Sequence, residues 1–298
     1  MLATHRLGRQ RLMDIWQVGE VKITRVVEQV EITDGRFVIQ QAAPENVKPH
    51  TWLQPHYADD QGRLVFSIHA FVVESEDCLI VVDTCVGNFK NRDIPNWHQL
   101  QTTFMEDFIA AGFDPLAVDK VLCTHLHDDH VGWNTQLVDG RWVPTFANAK
   151  YLLAQQEWQA WHRRDGFEEI LSDSVRPIID AGLMEFIEPP HAVTGEVKLV
   201  PTPGHTPGHV SVEIASGNAR AVITGDIMHN PVQCAEPDWQ GSADRDPDRA
   251  RSTRHQLLEQ WCNAGVLVLG THFPTPTGGR VIRAAEHWRF DPANPDRP

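Results

Sequence analysis

The chain has 298 residues, 41% of them hydrophobic, with 26 basic against 40 acidic side chains and a formal charge of −14. That length and apolar share can bury a sizeable core, while the acidic balance opposes a phosphate backbone as ligand, which needs a basic groove and neutralising lysines or arginines. No apolar run reaches the roughly 18 residues of a membrane span, and the basic start (residues 1–11) has no apolar segment behind it, so a cytoplasmic protein with neither nucleic-acid nor membrane partners is expected.

The five cysteines, Cys78, Cys85, Cys123, Cys234 and Cys262, are scattered without a Cys-x-x-Cys pair. They read as reduced thiols, and none is assigned to catalysis.

In chain order, residues 14–30 alternate in part and predict an opening strand or hairpin. Residues 66–73 and 79–83 predict further strands around a turn at Glu76-Asp77. Between them, residues 40–63 hold three prolines, Trp52 and Tyr57 with little periodicity. A connection of that length suggests a functional loop, expected to fold over the site with Trp52 as a substrate contact. Leu100, Phe104 and Phe108 recur at four-residue intervals and predict a helix over 95–112, stopped at Gly112. Residues 155–164 and 173–182 also look helical and could roof a site, with Trp158 and Trp161 as packing residues. Residues 240–254, rich in aspartate and arginine, read as a solvated loop running into a last helix over 248–264.

The densest chemistry lies at Thr124-His125-Leu126-His127-Asp128-Asp129-His130, directly after the apolar Val121-Leu122-Cys123. A core would have to satisfy each of those polar groups, so a metal site is the economical reading. His125 and His127, two apart, can grip one ion, and Asp129 and His130 can face a second beside it. Three later segments place His205 in a turn-rich Pro-Gly-His-Thr-Pro-Gly-His loop, Asp226 after Ala221-Val222-Ile223, and His272 after Val266-Leu267-Val268-Leu269. Each stands where a strand stops, the usual place for function on an α/β scaffold.

This ordered set resembles the metallo-β-lactamase superfamily from about Phe66 to Arg283. It is most similar to the dinuclear branch that contains acyl-homoserine-lactone lactonases and methyl parathion hydrolase. The resemblance implies an α/β fold, a four-layer αββα sandwich of two mixed sheets. It also implies one metallo-hydrolase domain over 1–298, with an arm and loop to 65 and a metal-binding core over 66–283. By motif matching, His125, His127 and His205 would hold one metal, Asp129, His130 and His272 the other, and Asp226 would bridge them. His229 stands where lactonases often have a tyrosine, and Asp83-Thr84 continues as Cys85-Val86-Gly87 where the superfamily commonly has Asp-Thr-Gly. Asp83 and His209 are expected behind the ligands. His229 and Phe273, close in sequence to ligands, are expected at the substrate.

Nitrogen and oxygen donors without thiolate suit two divalent ions, Zn²⁺ most readily, with Mn²⁺, Fe²⁺ or Co²⁺ also compatible. A bridging hydroxide would then be the nucleophile, with Asp129 and Asp226 as the catalytic carboxylates. The expected activity is hydrolysis of a small, partly apolar ester or lactone by a chain that could form a homodimer. Phosphotriester hydrolysis is the nearest alternative, β-lactam hydrolysis a lesser one, and a metal-stabilised binding protein the non-enzyme alternative.

Overall fold

The computed structural model describes residues 14–292, so the expectation about residues 1–11 lies outside it. The chain opens with the hairpin β1 (Ile15–Val18) and β2 (Val21–Thr33), followed by the single turn α1 (Pro44–Val47), β3 (Leu64–Ser75) and β4 (Cys78–Val82). Helix α2 (Phe104–Ala110) leads to β5 (Lys120–Cys123), the hairpin β6 (Thr135–Val138) and β7 (Arg141–Pro144), and β8 (Lys150–Ala154). Short helices α3 (Gln155–Trp161), α4 (Glu168–Ile170) and α5 (Arg176–Asp180) precede β9 (Met184–Ile187). Seven of these strands form one sheet in the order β1-β2-β3-β4-β5-β8-β9, antiparallel as far as β4 and parallel beyond it, while β6 and β7 pair apart from it.

The second sheet follows: β10 (His191–Ala192), β11 (Val197–Pro201), β12 (Val210–Ser216) and β13 (Ala219–Ile223). After α6 (Val232–Ala235) and the long α7 (Pro247–Trp261) come β14 (Leu267–Leu269), β15 (Gly278–Ala284) and β16 (His287–Pro292). These seven strands lie in sequence order, and only β13 and β14 run parallel. Both sheets are therefore mixed.

Strand alternation explains the layering. Ile80, Val82, Leu122 and Leu152 face Leu199, Val212, Ile214, Ile223 and Leu269 between the sheets. Their neighbours Val81, Val121, Tyr151 and Leu153 point outward onto Phe104 and Phe108 of α2, Trp161 and Ile178. On the other outer face, Val222, Val268 and Val281 pack against Ala250, Leu258 and Trp261 of α7. Helices thus cover both faces of a two-sheet sandwich, the αββα arrangement expected.

Two local expectations change, and one is extended. The helix read over 95–112 shrinks to α2, because the loop at 88–90 captures the preceding backbone. Leu100 O accepts from Phe89 N (2.9 Å), Gln99 N donates to Lys90 O (2.8 Å) and Thr102 N to the Asn88 side chain (2.8 Å), with Gln99 left-handed at φ +51°. The hairpin read over 14–30 is present as β1 and β2, and β2 runs on to pair with β3 from Lys22↔Glu74 to Thr33↔Leu64. The loop over 40–63 folds against the outer face of the second sheet. Val47, Leu53, Tyr57 and Ala58 are buried there with Met228, Phe273 and Phe290, and Tyr57 Oη donates to Pro276 O (2.7 Å).

Candidate metal centre

The expected ligands arrive from four loops at the ends of β5, β11, β13 and β14, along one edge of the sandwich. Two groups of side chains gather there, His125, His127, His205 and Asp226 in one, Asp129, His130 and His272 in the other, with the atoms of each group within 4.8 Å of one another. The loop after β5 is held tight by Gly132: a Cβ there would lie 1.8 Å from Val86 O. Gly132 N donates to Cys85 O (2.8 Å), and Cys85 itself takes a left-handed φ of +54°. A conformation that glycine adopts freely is thus held by a buried thiol, at a cost of order 1 kcal/mol or more.

The partner of each outer ring nitrogen decides what each inner one offers. His130 Nδ1 donates to Asp83 Oδ2 (3.0 Å), His205 Nδ1 to Asp244 Oδ1 (2.9 Å) and His272 Nδ1 to Ser67 O (3.1 Å). The Thr124 hydroxyl gives its one proton to Asp83 Oδ2 (2.8 Å), so it accepts from His125 Nδ1 (3.0 Å). With their protons held outward, the neutral rings of His125 and His205 turn Nε2 lone pairs inward, while His130 and His272, which Asp226 and Asp129 hold above the usual histidine range against burial, offer theirs once an ion displaces the proton.

The spacing fits an ion between them. His127 Nδ1 lies 3.0 Å from both His125 Nε2 and His205 Nε2, and His272 Nε2 lies 3.3 Å from His130 Nε2. Asp226 Oδ2 is 3.7 Å from His125, 3.5 Å from His205 and 3.3 Å from His130, while its Oδ1 is 3.2 Å from His272. Bonds of about 2.0–2.2 Å to a tetrahedral ion place its ligand atoms about 3.4 Å apart. Asp226 reaches both groups at once, and its Oδ1 is buried without a hydrogen-bond partner among the described residues. Asp129 is 3.4 Å from both His130 and His272. Burial first, and neighbouring imidazoles second, hold His125 and His127 well below the usual histidine range, and burial does the same for His205, which keeps all three neutral.

His209 lies beside Asp226. Its Nδ1 donates to Thr202 O (3.0 Å) and its Nε2 accepts from Asp226 N (2.8 Å), so it fixes the backbone of the bridging candidate. Gly225 makes this close approach feasible, since it is left-handed at φ +56° and a Cβ there would sit 2.5 Å from His209 Nε2.

Two carboxylates that the sequence reading did not single out hold the ligand loops. Glu157 accepts from Leu126 N (3.1 Å), Gly208 N (2.9 Å) and Trp161 Nε1 (2.6 Å), joining the His127 loop to the His205 loop. Burial raises its pKa, with those hydrogen bonds opposing. Asp244 bonds His205 and lies 3.7 Å from Arg254, both side chains nearly inaccessible. The stretch over 240–254 is mostly exposed and runs into α7 as read, but Asp244 turns inward to the site and Ser242 and Ala243 line the cavity. Its Asp and Arg pattern was legible, but the fold alone turns Asp244 inward.

A cavity of about 240 Å³ opens onto the cluster, lined by Phe37, Val38, Phe66, Ile68, Ile94 and Trp97 on its apolar side and by His127, Asp129, Asp226, His229 and His272 at its floor. His229 Nε2 stands 3.4 Å from Asp226 Oδ2, and its Nδ1 is buried without a partner among the described residues. The expectations for Trp52 and Phe273 are corrected. Trp52 packs at the margin of the core beneath the 40–63 loop, away from the cavity lining. Phe273 is wholly buried and edge-on to Phe290 (5.2 Å), because Gly270, lacking a Cβ, lets the ring fold back over it and away from His272. Trp158 and Trp161 pack as expected, although Trp161 also stands edge-on to His127 at 5.3 Å. All five cysteines are free, and burial pushes Cys123 and Cys234 up to about 12.

The description of one family, the metallo-β-lactamase superfamily, matches residues 63–272. The chain belongs to that superfamily. An N-acyl homoserine lactonase of Bacillus cereus is 26% identical over 171 residues, which is 52% of this chain and 61% of that protein. A probable metallo-hydrolase of Bacillus subtilis, YybB, is 24% identical over 56% of this chain and 67% of its own length. The chain thus spans about three-fifths of the length of the lactonases it matches. Among solved structures, the hydrolase AbOPH aligns with a TM-score of 0.76 at 23% identity over 95% of this chain and 97% of its own. AidC, a dizinc quorum-quenching lactonase in complex with a product, aligns with a TM-score of 0.76 at 21% identity over the same shares. These likenesses establish the fold of the superfamily member.

Proposed function

We propose that this chain is a dinuclear metal-dependent hydrolase of small, partly apolar esters or lactones. The observation that carries this reading is Asp226, a buried carboxylate at the floor of an apolar cavity whose Oδ2 stands between His125 and His205 of one group and His130 of the other, while its Oδ1 faces His272. His125, His127 and His205 would hold one ion, Asp129, His130 and His272 the other, and Asp226 both. Two such ions, Zn²⁺ by preference, would supply an activated water and polarise the attacked carbonyl.

The residues around them perform the rest. Asp83, Asp244, Ser67 and Thr124 keep the imidazoles in the donor tautomer, and His209 fixes Asp226. Asp129, on the cavity floor, can orient a water or take its proton, and His229 can donate to a substrate oxygen above Asp226. The walls Phe37, Val38, Phe66, Ile68 and Ile94 exclude water from the acyl group. No lysine or arginine lines the cavity among the described residues, which favours neutral substrates over anionic ones. A cavity of about 240 Å³ suits a small molecule. The lactonase relatives support the lactone half of the reading.

The test is a panel of lactones, aryl esters, phosphotriesters and a chromogenic β-lactam offered to protein loaded with zinc or with manganese. Two ions per chain and turnover of lactones or aryl esters that chelation abolishes are expected. A chain with two bound ions that turns over only the phosphotriesters would shift the reading to that alternative. One that turns over nothing would reduce it to a metal-stabilised binding protein.

A further inference from the structure

A carboxylate stands in the apolar wall of this cavity where hydrophobic side chains were available one residue away on either side. Along the end of β2, Val30 and Ile32 are 56% and 53% exposed, while Glu31 and Thr33, between and beyond them, turn into the cavity. The normal alternation, apolar inward and polar outward, is reversed here.

The cause is a β-bulge. The β2–β3 register runs Val27↔His69 and then Gln29↔Ile68, so Glu28 is an extra residue without a partner across the ladder. Paired residues share a face, and one inserted residue exchanges the faces of everything after it. Val26 packs on the outer face of the first sheet before the bulge, whereas Glu31, opposite Phe66, takes that face beyond it. The bulge is anchored. Glu28 accepts from Val86 N (2.8 Å), Gly87 N (3.2 Å), Trp133 Nε1 (2.6 Å) and Thr102 Oγ1 (3.3 Å).

Glu31 is also held in place. Trp97 Nε1, also of the cavity lining, donates to its Oε1 (3.1 Å), and Gln29 Nε2 donates to the same oxygen. No described residue bonds its Oε2, and no lysine or arginine of the cavity lining pairs with it. An acceptor so placed, beside an apolar wall and above the ligand cluster, is matched by a donor on whatever fills the cavity.

We infer that Glu31, positioned by the Glu28 bulge and by Trp97, is a specificity-determining residue that selects substrates carrying an N–H donor on an otherwise apolar acyl arm. This rests on the hydrolase reading for the reaction but not for the binding. Both an amide N–H and an ammonium present the required chemistry, and the charge-neutral variant tells them apart.

The test has two arms. Calorimetric binding of N-methylhexanamide, hexylammonium and 2-octanone, the last without a donor, is compared in wild type, Glu31→Gln and Glu31→Leu. Separately, kcat/KM is compared for 4-nitrophenyl hexanoate and for the same ester carrying an acetamido or an amino group on its chain. Wild type is expected to favour donor-bearing probes and esters by about tenfold or more, as for a hydrogen bond to a charged group. Glu31→Leu should bring both ratios to about one. Glu31→Gln, which still accepts from Trp97, keeps the amide preference and loses the ammonium preference. A donor preference that survives in Glu31→Leu, or wild type that binds 2-octanone as well as the donor probes, overturns the inference. If neither these esters nor any substrate of the panel above is turned over, the hydrolase reading fails, and the binding arm still decides the role of Glu31.

Discussion

Glu157 offers the sharpest test of how the fold builds its site, because one carboxylate spans two ligand loops. Its Oε1 accepts from Leu126 N (3.1 Å) and Trp161 Nε1 (2.6 Å), and its Oε2 from Gly208 N (2.9 Å), all in a buried setting. Glu157→Ala strands three buried donors, each worth about 1–3 kcal/mol when left unpaired. Relaxation and entering water recover part of that, so a loss of about 3–6 kcal/mol is expected. Glu157→Gln keeps one acceptor oxygen but turns an amide donor against another donor, so about half of that loss is expected. Urea unfolding of metal-free protein measures both, and the midpoint should fall with the slope unchanged. Because Glu157 sets the distance between the loops of His127 and His205, metal affinity in a chelator competition should drop about 10–100-fold as well. A Glu157→Ala protein that unfolds within about 1 kcal/mol of wild type, the uncertainty of context in such values, and holds metal equally would refute the reasoning.

Asp226→Asn should lower metal occupancy and rate together, since Asp226 faces both groups, whereas Asp83→Asn, whose side chain bonds His130 and Thr124 among the described residues, should cost less. Metal analysis alongside kinetics checks this, and equal activity at equal metal content would remove the bridging role. Lys90, sealed against Asp173 and the Trp142 ring, is pushed down to about 7 by burial, with Asp173 opposing. Its charged form therefore costs stability fully below that pH, and the cost fades as pH rises toward the unfolded lysine value of about 10.4. Wild type should gain on Lys90→Met by up to about 1.4 kcal/mol per pH unit above neutrality. A stability difference that stays flat between about pH 7.5 and 9.5, inside that window, would contradict it.

The sequence by itself brought forward the side chains that gather in the cluster, and the layered fold. Ligands clustered as His125, His127, Asp129 and His130 can be read locally because they share one loop, and period-2 apolar strands declare their buried faces without further context. The later ligands were legible for the same reason, each standing at the end of a short apolar strand.

What only the tertiary structure decided depends on which way a side chain turns when neighbours distant in sequence take up its backbone. Helix α2 lost its first turns to the loop at 88–90, and Phe273 turned inward because Gly270 left it room. Asp244 and Glu157, ordinary acids in exposed-looking stretches, became the groups that hold His205 and join the loops. The cavity wall shows the limit most clearly. Alternation would place Val30 and Ile32 inside, yet the bulge at Glu28 exchanges the faces, because backbone register is settled by contacts to Val86, Gly87 and Trp133, far along the chain.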